Sequence, residues 1–170
     1  TVTGMTFDGV TFDYTYTEGE ADWHRPFRFV HSEGITIQNA LVDGDVAHGR
    51  GDVKDGYGSG TGLRFEGCTD IVIVDSEFDG FMNSLQLNAS SDVVIRNNEF
   101  HHMRSDGIQI GSITNMLIED NYFHDTAGYP LPEGWAAGSG DHPDFIQLVG
   151  GGATGATDNL VIRGNLMDQG

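Results

Sequence analysis

The sequence predicts an all-β chain wound as a right-handed parallel β-helix of about five to six coils. Three observations carry that prediction: a strand-and-turn pattern that returns six times, a second short strand after most copies, and insertions that share one point of the repeat.

The repeating element reads β-branched or apolar, any, Ile-like, any, then Asn, Asp or Gly, followed three residues on by a large apolar residue. It runs from Met5 to Gly9 with Phe12, and from Ile35 to Asn39 with Val42. It returns from Ile71 to Asp75 with Phe78, and from Val93 to Asn97 with Phe100. The last copies run from Met116 to Asp120 with Phe123, and from Leu160 to Gly164 with Met167. Alternation at period two is a strand signal, and the Asn, Asp or Gly that closes it tolerates the left-handed conformation of a tight corner.

The second strand appears as Phe27-Arg28-Phe29, Leu63-Arg64-Phe65, Leu85-Gln86-Leu87, Ile108-Gln109-Ile110 and Ile146-Gln147-Leu148. The shortest repeats, Asp70 to Ser91 and Asp92 to Thr114, are 22 and 23 residues long, which suits three short strands and three turns. Such a unit cannot bury its apolar face alone, so neighbours must stack. A leucine-rich repeat would need a leucine-dense strand with a fixed Asn, and a two-sheet sandwich would not return one turn chemistry at one offset.

Composition narrows function. Net charge is −18, from 26 acidic against 8 basic residues, which argues against nucleic acid or an anionic membrane as partner. A polyanionic substrate would need bound cations or a local arginine patch to reverse that field. The acidic balance suits a solubilising surface or one that takes up Ca²⁺. No apolar run reaches membrane-spanning length, so no membrane insertion is expected. Cys68, alone of its kind, forms no internal disulfide and suits the core. Residues 1–170 read as one β-helix domain, a stretch of a longer solenoid.

The repeats resemble the pectate-lyase-like superfamily of parallel β-helices over essentially the whole chain. The resemblance implies an asparagine ladder in the short turn between that superfamily's second and third strands, which Asn39, Asp75, Asn97 and Asp120 would occupy. It also implies a substrate cleft along the outer face of the Ile-Gln-Leu strand. The insertions Asp13 to Pro26, Asp43 to Gly62 and His124 to Phe145 all precede that strand and would overhang such a cleft.

The outward residues of that strand form a column, Arg28, Arg64, Gln86, Gln109 and Gln147. At a strand spacing of about 4.8 Å they offer donors at intervals suited to the polar groups of a sugar chain. A solvated column of mutually bonded glutamines is the alternative. Trp23, Trp135 and Tyr57, on the insertions, are candidates for stacking on sugar rings or for packing the loops onto the coil.

Polar clusters gather at the column's rim. Asp106 and Asp144 each precede an Ile-Gln pair by two residues and should stack in register, with Asn83 one coil earlier. Two adjacent carboxylates either share a proton, as acid–base chemistry needs, or hold a cation such as Ca²⁺, with Asp106, Asp141 and Asp144 as ligands. His101 and His124 should stack with His102 beside them, although no H-x-H or H-x₃-H pair supports a transition-metal site. His142 lies among carboxylates, and Arg104 and Tyr129 complete the candidate catalytic set of Asp106, His142, Asp144, Arg104 and Tyr129.

Three activities fit. A polyuronate lyase or C5-epimerase needs a cation or Arg to neutralise the uronate carboxylate, together with a base and an acid. Asp141-His142-Pro143-Asp144 resembles, in a different order, the Asp-Pro-His-Glu element of mannuronan C5-epimerase modules. A glycoside hydrolase would use paired Asp residues, and Ser105-Asp106-Gly107-Ile108 resembles an element of polygalacturonases whose other motifs are missing here. The third is a carbohydrate-binding adhesin or a phage tail-spike-like rod. The expectation is an extracellular protein, secreted or on a cell or virion surface, with polysaccharide as partner. It would be a monomer as an enzyme and a homotrimer as a spike.

Overall fold

The computed structural model describes residues 2–130, 141–149 and 155–169. The first coils contain β1 (Thr3–Asp8), β2 (Thr11–Asp13), β3 (Phe27–Val30), β4 (Glu33–Gln38), β5 (Leu41–Asp43) and β6 (Thr61–Glu66). The middle coils add β7 (Thr69–Val74), β8 (Glu77–Asp79), β9 (Asn83–Asn88), β10 (Ser91–Arg96), β11 (Glu99–His101) and β12 (Asp106–Gly111). The chain closes with β13 (Thr114–Glu119), β14 (Tyr122–His124), β15 (Asp144–Leu148), β16 (Asp158–Arg163) and β17 (Leu166–Met167).

Every third strand pairs in parallel with its counterpart one coil away. One sheet runs β1-β4-β7-β10-β13-β16, the second β2-β5-β8-β11-β14-β17, and the third β3-β6-β9-β12-β15. The repeating apolar residues are the inward positions of the first two sheets, as the sequence predicts: Ile35, Ile71, Val93 and Met116 share one register. Val42, Phe78, Phe100 and Phe123 form the inward column of the second sheet. Phe100 stacks on Phe78 at 4.5 Å and on Phe123 at 4.8 Å between ring centroids, so one aromatic file fills the core along the axis. Cys68 is fully buried in the same core.

The corner after the first sheet corrects one expectation. Asn39, Asp75, Asn97 and Asp120 do not form the buried ladder; they are exposed and left-handed, with φ of 50–54°. That twist turns the following side chain inward, so the ladder lies one residue later, at Ser76, Asn98, Asn121 and Asn165. Asn98 Oδ1 accepts from the Ser76 backbone at 3.0 Å. Asn98 Nδ2 donates to Ile73 O and Asn121 Oδ1, each at 3.0 Å. Asn121 Nδ2 repeats the arrangement on Ile95 O and Asn165 Oδ1. Asn98 and Asn121 are 2% and 1% exposed, so these bonds satisfy backbone groups that water cannot reach.

The insertions leave the helix where predicted, between the second and third sheets after β2, β5 and β14. They therefore gather beside the outer face of the third sheet. Among the described residues no helix is long and apolar enough to cross a membrane.

Candidate active site

The third sheet aligns Arg28, Arg64, Gln86, Gln109 and Gln147 in one register, as the repeat predicts. Their neighbours Leu63, Phe65, Leu85, Leu87, Ile108 and Ile110 are fully buried, so the polar column faces outward. The column is linked to itself. Arg64 donates to Gln86 Oε1, Gln86 to Gln109 Oε1, and Gln109 Nε2 to Gln147 Oε1 at 2.9 Å.

The N-terminal end of this strip is locally basic. Glu66 bridges Arg28 at 3.5 Å and Arg64 at 3.3 Å, and the Arg64 guanidinium holds the Glu66 carboxyl below its usual range. Burial, with Arg64 and Arg28 nearby, lowers the pKa of Arg25, a residue the sequence reading passed over. Its signal was its place on an insertion beside two column arginines. Trp23, 64% exposed, shares a shallow groove with Ala21, His24, Arg25 and Arg28, so an open aromatic face adjoins the basic end.

Asp106 and Asp144 pair across β12 and β15 as the spacing predicts. The Asp106 backbone N–H donates to Asn83 Oδ1 at 3.1 Å, which ties the preceding coil to the pair. Asp106 is 2% exposed; its Oδ2 accepts from Gln109 Nε2 at 3.0 Å, and among the described residues its Oδ1 has no hydrogen-bond partner of good geometry. Burial, reinforced by the Asp144 carboxylate, pushes the Asp106 carboxyl up to about 6. Asp144 is exposed and accepts from Gln147 Nε2 at 3.3 Å. His142 Nδ1 lies 3.9 Å from Asp144 Oδ2, with its ring largely in solvent.

A family model described as a right-handed β-helix region matches residues 27–169. The chain belongs to the right-handed β-helix family. The match supports a β-helix of the polysaccharide-acting kind in general; it assigns no lyase, epimerase or hydrolase activity. No curated protein sequence matches the chain.

In this β-helix the remaining predicted residues divide between the strip and the base of the insertions. Arg104 lies at the base, 2% exposed. Its Nε is 2.9 Å from Asp141 Oδ2, its Nη2 3.6 Å from Asp22 Oδ2, and its Nη1 donates to Gly58 O at 3.1 Å. Asp22 also pairs with Arg50 at 2.6 Å and with Lys54. Arg104 therefore ties all three insertions together and does not open onto the strip. Tyr129 is 9% exposed, with the Arg104 guanidinium 5.8 Å from its ring centroid. Burial raises the Asp141 carboxyl against the opposing pull of Arg104. Asp141 faces this tie, whereas Asp106 and Asp144 face the strip, so the three carboxylates offered as Ca²⁺ ligands divide between two places. Tyr57 packs edge-on to Tyr129 at 6.2 Å, and Trp135 lies outside the described residues.

Proposed function

We propose that the outer face of the third sheet binds an acidic polysaccharide and that Asp106 is its proton-holding catalytic group, in a reaction of the polyuronate lyase or C5-epimerase type. The observation that carries this reading is the buried Asp106 carboxyl, raised to about 6 beside the in-register Asp144 on the strip itself. The strip suits a linear glycan because its rungs repeat at roughly the 4.8 Å of stacked strands. The Arg25, Arg28 and Arg64 end supplies positive charge that an otherwise acidic chain would deny a uronate.

In the elimination, a base takes the proton α to the uronate carboxylate, and the electron pair forms the new carbon–carbon double bond. The glycosidic oxygen departs with a proton from Asp106. In the epimerisation the abstracted position regains a proton on its opposite face. His142, at the rim beside Asp144 and largely in solvent, would serve as the base. Such a protein would work outside the cell, where polyuronates occur, and as a monomer.

Incubation with a panel of polyuronates and neutral glycans tests the reading. The expected result is ultraviolet-absorbing unsaturated product, or epimerised residues seen by proton NMR, lost in D106N. Reducing ends without unsaturation would instead indicate a hydrolase using Asp106 and Asp144. A second reading, a non-catalytic binding rod, is favoured by the mutual hydrogen bonding of the glutamine column. Retained binding with no chemical change on any substrate would establish it and sink the enzyme readings.

A further inference from the structure

On the opposite flank of the short turn that leads into Asp106 lies a cluster that the strip does not use. We propose that Asp79, His101 and His102 bind one divalent first-row transition metal ion of the Zn²⁺ type. Among the described residues these three alone bring His, Cys, Asp or Glu ligand atoms together closely enough to hold an ion.

The fold creates the cluster. Asp79 ends β8 and His101 ends β11, paired in register on the outer face of the second sheet. In a continuing strand His102 would point away from His101. Instead His102 has φ of 51°, a left-handed turn that swings its ring to the same side. The two ring centroids are 4.8 Å apart and the planes are steeply inclined, which directs both Nδ1 atoms at one point.

The distances suit a metal. His101 Nδ1 is 2.9 Å from His102 Nδ1, His102 Nδ1 is 2.8 Å from Asp79 Oδ1, and His101 Nδ1 is 3.3 Å from the same oxygen. Bonds of about 2.0–2.1 Å to a tetrahedral or octahedral ion place adjacent ligand atoms about 2.8–3.4 Å apart. Three ligand atoms thus form one face of a coordination polyhedron. With His102 and Asp79 partly in solvent, the remaining positions are open to water.

Protons alone satisfy this triangle poorly. Glu77 Oε1 lies 3.0 Å from His101 Nε2 and holds the N–H there, so His101 presents a lone pair at Nδ1. The single N–H of His102 Nδ1 must then serve both Asp79 Oδ1 and His101 Nδ1, and the latter two face each other as acceptors. A cation at the centre removes this conflict, and Glu77 becomes the carboxylate that orients a metal-bound imidazole. One coil on, His124 stacks on His101 at 5.2 Å, but Asp125 and Glu99 occupy its two nitrogens at 2.7 and 2.9 Å. The equivalent place there therefore has no second histidine and no free ring nitrogen.

Two nitrogens and one carboxylate oxygen suit Zn²⁺, Co²⁺ or Ni²⁺ better than the hard ions Ca²⁺ and Mg²⁺. The test is titration of the full chain, without added histidines, with Co²⁺ followed by visible absorbance and with Zn²⁺ followed by calorimetry. The expected result is one site per chain at micromolar concentration, with Zn²⁺ displacing Co²⁺ and Ca²⁺ failing to do so. H102A and D79N should each weaken binding by about ten-fold or more. H31N, which removes an exposed histidine elsewhere, should leave it unchanged. No uptake of either metal by the wild type, or H102A binding as tightly as wild type, would overturn the proposal. These readouts are independent of any glycan, so they stand apart from the outcome for the strip.

Discussion

Arg104 Nε lies 2.9 Å from Asp141 Oδ2, and this buried pair joins the third insertion to the coil from which β12 departs. The same guanidinium reaches Asp22 and Gly58 of the other two insertions. Replacing it with Met leaves the largely buried Asp141 carboxylate without its cation, whereas Asp22 keeps Arg50 and Lys54. R104M should lose about 3–5 kcal/mol of stability in urea unfolding, with the insertions becoming the first sites of proteolysis. Adding D141N to R104M should restore part of that loss. An R104M protein within about 0.5 kcal/mol of wild type would show that Arg104 is not the tie.

Asp106 sets a pH dependence of defined sign. Its folded value of about 6 lies above the ordinary 3.8, so the folded chain holds the proton more tightly than the unfolded one. The corresponding stability is complete below the ordinary value and is lost as pH rises through about 6. Removing the charge should therefore help only at high pH. D106N should be more stable than wild type at pH 8 by up to about 3 kcal/mol and equal to it near pH 3.5. A D106N advantage that is the same at both values would refute the assignment.

The two halves of the Asn97-Asn98 pair should behave differently. N98A strands the Ser76 N–H, removes the amide donor to the Ile73 carbonyl and takes one of two donors from Asn121 Oδ1, and should cost about 2–4 kcal/mol. N97A removes only an exposed side chain suited to a left-handed corner, and should cost about 1 kcal/mol. Thermal or urea unfolding of the two variants checks the order; equal losses would contradict the one-residue displacement of the ladder.

Corners also offer a gain. Ala89 has φ of 48°, whereas the corresponding corner one coil earlier is Gly67. A89G should raise stability by about 1 kcal/mol, because the Cβ penalty of the left-handed conformation outweighs the added unfolded-state freedom of glycine. The reverse is expected at Gly107, where a Cβ would lie 2.6 Å from the Phe145 carbonyl oxygen. G107A should destabilise the chain and displace Asp106 with it. Unfolding midpoints that move the other way for both variants would disprove this account of the Ala89 corner and of the close packing at Gly107 in β12.

What the sequence made legible is whatever the coil repeats. The inward columns, the outward Arg-Gln column and the Asp106–Asp144 pairing all follow from one register counted along the chain. The ladder was displaced by one because Asn97-Asn98 offers two amides, and backbone twist, not composition, decides which turns inward. Arg104 was assigned to the rim because its partners lie on insertions that share no register with the repeat. Asp79 went unnoticed beside His101 and His102 for a related reason: a strand pattern places adjacent histidines on opposite sides, and only the corner at His102 reunites them. Arg25 lies on an insertion too, where spacing says nothing about proximity to Arg64.

Two rows of side-chain hydrogen bonds run through the later coils of the helix, and both point the same way. Inside, Asn98 donates to Asn121 and Asn121 to Asn165. Outside, Arg64 donates to Gln86, Gln86 to Gln109 and Gln109 to Gln147. Aligned head to tail, their dipoles add along the axis and each bond polarises the next. A ligand that captures one glutamine oxygen deprives the donor behind it of its acceptor, which frees that amide to turn outward as well. A bound ligand would thus open the outer row from one rung to its neighbour. A monosaccharide would have to disturb the row for a single contact, whereas a chain lying along the axis would use every rung it releases.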